Sequence, residues 1–227
     1  MYNLGMDIKR PLFIAAAALF LPLSGFSADY VIVRSTYYLT ARQQELADFP
    51  APPAAGSEAD RADMATLKDW QGKRTAYGEF FGDISPFPAP MPAPAAEVFR
   101  RVKAQTDAVA AQLKERFRRP RPFARDAALE PCLGRVGGLA YPSGHATISR
   151  LFALILADLV PSRKKEFLAR ADEAALYRVI GGVHYPSDIE AGRKLAEKVY
   201  RAYEKSPAFR ADIKILKGQL AEAAVPR

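Results

Sequence analysis

Pro142-Ser143-Gly144-His145-Ala146-Thr147-Ile148-Ser149-Arg150-Leu151-Phe152-Ala153-Leu154-Ile155-Leu156-Ala157-Asp158-Leu159-Val160-Pro161 is the stretch that decides the fold. From Thr147 to Val160 it is apolar on almost every side, the pattern of a helix whose faces are all covered by neighbours. Pro161 stops it, and its start falls near Ser143 or His145. A central helix needs others around it, and helical patterns flank it in both directions.

Upstream, Val98, Val102, Val109, Leu113 and Phe117 recur at intervals of four and seven, placing one apolar stripe on a helix from about Ala95 to Arg119. Pro120 and Pro122 end it, so Lys114 lies in its last turns and Arg121 just beyond. Prolines at positions 86, 88, 90, 92 and 94 precede it as a polyproline II strap. Downstream, a helix is expected from about Arg163 to Ile180, broken by Gly181-Gly182. Another starts at Ser187, where Ser187 and Glu190 have capping-box spacing, and buries Ile189, Leu195, Val199 and Ala202. Ser206-Pro207 opens the last, with Phe209, Ile213, Leu216 and Leu220 as its stripe. Residues 28–60, with the β-compatible run Tyr30-Val31-Ile32-Val33 and the Pro/Ala segment Pro50 to Gly56, read as extended chain and loop. There is no internal repeat. The fold class is all-α, a single-domain helical bundle.

Lys9 and Arg10 precede the uncharged segment Pro11 to Phe26, whose core, Leu12 to Leu23, is nearly all apolar and is followed by small residues. That is the layout of a signal peptide over residues 1–27, and the apolar core is short for a span of about 20 residues. The domain is then 28–227, and cleavage lowers the net charge from +8 to +7. Cys132 is the only cysteine, so an exported chain relies on packing rather than on an internal disulfide. Positive charge admits nucleic acid, an anionic membrane surface or phosphorylated small molecules. It is concentrated in Lys114, Arg116, Arg118, Arg119, Arg121 and Arg125.

The chain has two histidines, and each lies in a short polar motif. Ser143-Gly144-His145 opens the central helix, where backbone N–H groups can receive an anion; the plainer reading is a serine N-cap beside a satisfied histidine. In Arg178-Val179-Ile180-Gly181-Gly182-Val183-His184-Tyr185-Pro186-Ser187-Asp188, a carboxylate four residues after an imidazole can fix its tautomer and free the other nitrogen for attack. The plainer reading is a glycine hinge with an ordinary ion pair. Lys114 and Arg121 can converge on phosphate oxygens, or simply end a helix with solvated charge.

Together, Lys114-x6-Arg121-Pro122, Pro142-Ser143-Gly144-His145 and Arg178-x5-His184-x3-Asp188 resemble the three-part signature of the type 2 phosphatidic acid phosphatase superfamily. The signal peptide, the length and the proline-rich early segments are most similar to its soluble bacterial class A non-specific acid phosphatases. The resemblance implies the helical bundle shared with vanadium haloperoxidases and a periplasmic enzyme acting on small phosphomonoesters, with phosphotransfer as an accompanying activity. It implies neither metal nor other cofactor. It further implies that His184, oriented by Asp188, attacks phosphorus to form a phosphohistidine while His145 protonates the leaving alcohol. Lys114, Arg121, Ser143, Gly144 and Arg178 would bind the phosphoryl oxygens. The opposed protonation states of the two histidines give a rate that falls on both sides of an optimum, and the resemblance implies that the optimum lies at mildly acidic pH. One position departs from the family: Tyr177 stands where a serine usually precedes the arginine. Tyr185 reads either as a wall of the pocket or as packing.

Two other readings are open at this point. A vanadium-dependent haloperoxidase would hold vanadate with the same residues, and a basic anion- or nucleic-acid-binding protein would use the charge alone. The phosphatase reading expects no nucleic-acid partner and no stable membrane span after signal cleavage. It leaves homo-oligomerisation, the physiological substrate and the hydrolysis-to-transfer balance open.

Overall fold

The computed structural model describes residues 38–39, 46–71 and 84–223; the expected signal peptide and the Tyr30–Val33 run lie outside them. Its helices are α1 Glu58–Gln71, α2 Ala93–Phe117, the single turn α3 Pro122–Arg125, α4 Gly144–Leu159, α5 Lys164–Ile180, α6 Pro186–Tyr203 and α7 Pro207–Ala223. A 3-10 turn, Pro161–Arg163, joins α4 to α5.

α4 is the centre, packed against α2, α5, α6 and α7. Its Ala146, Leu151, Ala153 and Ile155 are fully buried, as expected for a helix apolar on every side. The main core joins α2, α4, α6 and α7 with the early segment. There the Tyr38 ring lies 4.8 Å from Tyr203 and 5.3 Å from Phe209, edge to face. A smaller core, including Leu67, Val179, Val183, Tyr185 and Ile189, seats α1 against α5 and α6 directly behind the histidine motifs. No helix among the described residues is long and apolar enough to cross a membrane.

Two sequence expectations need correction. α1 begins at Glu58, inside the segment expected to be loop to residue 60. Its start is set by Ser57, whose hydroxyl accepts from Asp60 N at 3.2 Å, while the Asp60 carboxylate accepts from Gly56 N at 2.8 Å. α6 begins one residue earlier than expected, with Pro186 as its first residue and Tyr185 before it. The capping acid is Asp188, accepting from Tyr185 N at 2.9 Å, rather than Glu190 acting with Ser187. The expected bounds of α2, α4 and α5 and the start of α7 match to within two residues, the usual latitude of helix ends, while the single turn α3 is not among the expected elements.

The end of α2 sets the geometry of the site. Arg118 closes the helix in the left-handed region, φ 46°, with its N–H on Lys114 O at 2.8 Å, and Pro120 forbids continuation. The chain therefore turns sharply, sending successive arginines different ways. Arg118 faces solvent beside Glu115, Arg119 is buried, and Arg121 turns to His184, where the three motifs meet.

Candidate active site

Three structural joints bring the motifs together: the end of α2, the start of α4 and the α5–α6 turn. At the last, Gly182 takes φ 76°, which suits glycine. A Cβ on Gly181 would lie 2.6 Å from Leu133 Cδ1 and 2.9 Å from the backbone O of Tyr177, so a larger residue there would force the turn or Leu133 to shift. His184 is carried on this turn, 2% exposed, and Asp188 one helical turn later is fully buried.

The hydrogen bonds around His184 define its tautomer. Nε2 lies 2.7 Å from Arg121 Nη1, and a guanidinium can only donate, so Nε2 carries the lone pair. Nδ1 then carries the proton and donates to Asp188 Oδ2 at 3.1 Å. The second Asp188 oxygen, Oδ1, accepts from Arg119 Nη1 at 2.7 Å. Burial raises the Asp188 pKa, but the His184 hydrogen bond and the charge of Arg119 outweigh it and hold the carboxyl below its ordinary value. Burial pushes His184 down, Asp188 opposes, and Arg121 and Lys114 push it further, to about 3.

Arg121 is further held by carbonyls, donating to Val183 O at 2.8 Å and to Gly137 O and Gly138 O at 3.2 Å. Lys114 Nζ donates to Leu139 O at 2.5 Å; burial and then Arg121 lower its pKa to about 8. Ser143 is fully buried, its Oγ accepting from Ala146 N at 3.3 Å as the N-cap of α4 and its N–H donating to Asp188 O at 3.0 Å. The serine-cap reading is thus correct as structure, and it leaves the hydroxyl proton available. A Cβ placed on Gly144 would meet nothing within 4 Å, so open space lies beside the first residue of α4.

His145 stands at the rim with its side exposed to solvent. Despite that exposure, desolvation by surrounding protein, followed by the charges of Arg178, Lys103, Arg121 and Lys114, lowers its pKa to about 4. Arg178 is thus the charge with the largest effect on His145. Its backbone O accepts from His184 N at 3.1 Å, tying its helix end to the second histidine. The Tyr177 hydroxyl donates back along α5 to Glu173 Oε1 at 2.5 Å. Tyr185 is fully buried beneath Arg119, whose guanidinium carbon lies 3.9 Å from the ring centroid, so packing is the better of its two readings.

Sequence reasoning missed Arg119, Asp60, Asp63 and Gly192. Asp60 is recoverable in hindsight, because Ser57-x-x-Asp60 is a capping signature. Gly192 of α6 passes so close to the start of α4 that an added Cβ would lie 2.7 Å from Ser143 O and 2.8 Å from Ala146 Cβ. Nor is the basic run a continuous charged face. Arg116 donates to Leu46 O and Ala47 O, Arg118 pairs with Glu115, and Arg119 and Arg125 bind Asp60.

The family described as PAP2 superfamily matches residues 102–200, which contain all three motifs. A non-specific acid phosphatase of Providencia stuartii is 27% identical over an alignment spanning 95% of this chain and 99% of that protein. An acid phosphatase of Zymomonas mobilis is 34% identical over 48% of this chain and 43% of its own length. A non-specific acid phosphatase of Salmonella typhi is 36% identical over 36% of this chain and 32% of its own. Among solved structures, a bacterial vanadium-dependent iodoperoxidase superposes with a TM-score of 0.50 at 18% identity, covering 77% of this chain and 57% of that one. That likeness is one of fold: both are all-α.

Proposed function

From the match of residues 102–200 to the PAP2 superfamily, the likeness to non-specific acid phosphatases and the geometry around His184, we propose that this chain is an exported acid phosphatase that hydrolyses phosphomonoesters through a phosphohistidine, without a metal. The observation that carries the reading is the tautomer of His184: Nδ1–H on Asp188, and a lone pair on Nε2 directed at the cation Arg121. A nucleophilic imidazole needs that arrangement, with its base-side nitrogen free and its other nitrogen anchored by a carboxylate. The sequence layout of residues 1–27 supports export, with the periplasm as destination.

A phosphomonoester entering the cleft brings up to two negative charges to Lys114, Arg121 and Arg178. Arg121 turns its Nη1 from Nε2 to a phosphoryl oxygen, baring the lone pair. The Ser143 hydroxyl and the N–H groups opening α4 take the remaining oxygens, where the helix dipole favours negative charge. Nε2 then forms a bond to phosphorus as the ester P–O bond breaks, and His145 gives its proton to the departing oxygen. In the second half His145 takes a proton from water, the water oxygen bonds to phosphorus and the P–N bond breaks. The cations stabilise charge on the transferring group in both halves.

The protonation states suit acid conditions. With its pKa near 3, His184 remains a free nucleophile well below neutrality. His145, at about 4, is pulled down by desolvation and then by cations whose charge a bound phosphate offsets. Its proton affinity therefore rises on substrate binding, and it can also receive the proton of a substrate monoanion. Phosphate release from p-nitrophenyl phosphate by the purified protein at pH 5–7 in EDTA, beside His184→Ala, tests the reading. Turnover lost in the variant is expected. A wild-type protein with no turnover refutes it.

A further inference from the structure

The contacts of Asp188 do not stop at the cleft. Arg119 is 5% exposed and spends its fork on four acceptors: Asp188 Oδ1 and Ser187 Oγ from Nη1, both at 2.7 Å, and Asp63 Oδ2 at 3.0 Å and Asp60 Oδ1 at 3.3 Å from Nη2. Asp63 also accepts from Ser187 N at 3.1 Å and from the Ser187 hydroxyl. Arg125 grips both Asp60 oxygens at 2.7 and 2.8 Å. Asp60 and Asp63 lie one turn apart on α1, a helix that contributes no residue to the cleft motifs.

Burying this many charges gives little stability, because desolvation cancels most of the attraction and apolar packing would serve a simple anchor as well or better. What the network does provide is direction. The Asp188 oxygens are divided: Oδ2 takes His184 Nδ1 and Tyr185 N, while Oδ1 takes Arg119. With Oδ1 pinned by a guanidinium that is itself held by two carboxylates and stacked on Tyr185, the carboxylate cannot rotate away from His184. We propose that Arg119, clamped by Asp60 and Asp63 of α1, is a positioning residue that fixes the Asp188–His184 pair, making α1 part of the reaction apparatus. The inference rests on His184 being the nucleophile.

The charged and titratable groups facing the pair are Lys114, Arg119 and Arg121 from α2 and the turn after it, Asp60 and Asp63 from α1, and Arg125 from α3. His145 of α4, Arg178 of α5, Tyr141 and Tyr185 complete the set. Arg119→Gln removes a positive charge from Asp188, so Asp188 acts more strongly on His184 and itself takes a proton more readily. The acid limb of kcat/KM must then move to higher pH. Asp63→Asn removes a negative charge that competes for Arg119, and must move the limb to lower pH.

The experiment measures kcat, KM and pH profiles on p-nitrophenyl phosphate for wild type, Arg119→Gln, Arg119→Lys and Asp63→Asn, with melting temperatures and inorganic phosphate binding. Expected is a kcat loss of about 10- to 100-fold in Arg119→Gln, the range seen for the outer partners of metal-bound imidazoles. KM should change less than about twofold, recovery in the lysine variant should be partial, and the two limbs should shift in opposite directions. Wild-type kcat and unshifted profiles in folded, phosphate-binding variants would overturn the proposal. So would equal losses with unshifted profiles, which mark a merely structural role. Should Arg119→Gln not fold, Arg119→Lys against Asp63→Asn decides: the lysine keeps the charge without the fork, so kcat must fall while its acid limb stays. An inactive wild type is a different result, and removes the phosphatase reading itself.

Discussion

Gly192→Ala isolates the helix crossing on which the cleft depends. The added Cβ would sit 2.7 Å from Ser143 O, 2.8 Å from Ala146 Cβ and 3.1 Å from Thr147 N, groups of the α4 N-terminus that have no flexible side chain to swing aside. Reaching the 3.4 Å at which ordinary contact begins takes a displacement of about 0.7 Å. Overpacking of this kind costs about 1–3 kcal/mol. At roughly 2–4 °C per kcal/mol for a chain of this size, the melting temperature should fall by about 2–12 °C. The shift also carries Ser143 and Gly144 away from Lys114 and Arg121, and a misplacement near 1 Å at a reacting centre costs up to about 100-fold in rate. Thermal melts followed by circular dichroism, with kcat/KM on p-nitrophenyl phosphate, read both effects. Gly218→Ala in α7 is the control: its Cβ meets nothing within 4 Å, and alanine should raise stability by up to about 1 kcal/mol. If Gly192→Ala melted and turned over like wild type, the close α4–α6 approach would be wrong.

Gly144→Ala should separate binding from stability: the melting temperature stays within about 1 °C, because the new Cβ enters open space, while KM and the inorganic phosphate dissociation constant rise. An unchanged KM would place the phosphate elsewhere. Acid sensitivity should follow His184, which takes its proton near pH 6.5 when unfolded but near 3 when folded. Between those values the unfolded chain binds more protons, so this contribution is complete above pH 6.5 and is lost as pH falls toward 3, at up to about 1.4 kcal/mol per pH unit. Urea midpoints at pH 7 and 4.5 should show that slope in wild type and less of it in His184→Gln; equal slopes would count against the buried neutral imidazole. On the alkaline side, Lys114 loses its charge near pH 8, so KM should climb above that pH while a Lys114→Arg variant holds its affinity. His145→Ala should slow alkyl phosphates more than p-nitrophenyl phosphate, whose leaving group needs less protonation. Equal losses would assign His145 another task.

The parts legible in the sequence are those whose cause is local. The apolar run from Thr147 to Val160 needs cover on every side, and Pro161 can only end it, so the central helix was readable to within a residue. The candidate site residues stand out in the sequence as residue types at fixed spacing, and the structure brings His184, Asp188, Arg121, Lys114 and the start of α4 together. What was not legible depends on tertiary geometry. Arg119 is one of six cations within residues 114–125, and only the left-handed turn at Arg118 makes it the buried one. Gly192 looks like an unremarked glycine in a helix until another backbone crosses it. The start of α6 was misread because Asp188 serves both as cap and as the His184 partner, which a spacing rule for Ser187 and Glu190 does not see.

The whole mechanism rests on a bond between His184 Nε2 and phosphorus. Rapid quenching of the protein with an isotopically labelled phosphomonoester, in alkali to preserve the P–N bond and in the presence of EDTA, followed by peptide mapping, tests it most directly. Expected is acid-labile, base-stable phosphate on the peptide carrying His184, absent from His184→Ala and accumulating when His145 is replaced by alanine. Label on the His145 peptide, or full turnover with inversion at phosphorus and no covalent species, would contradict it.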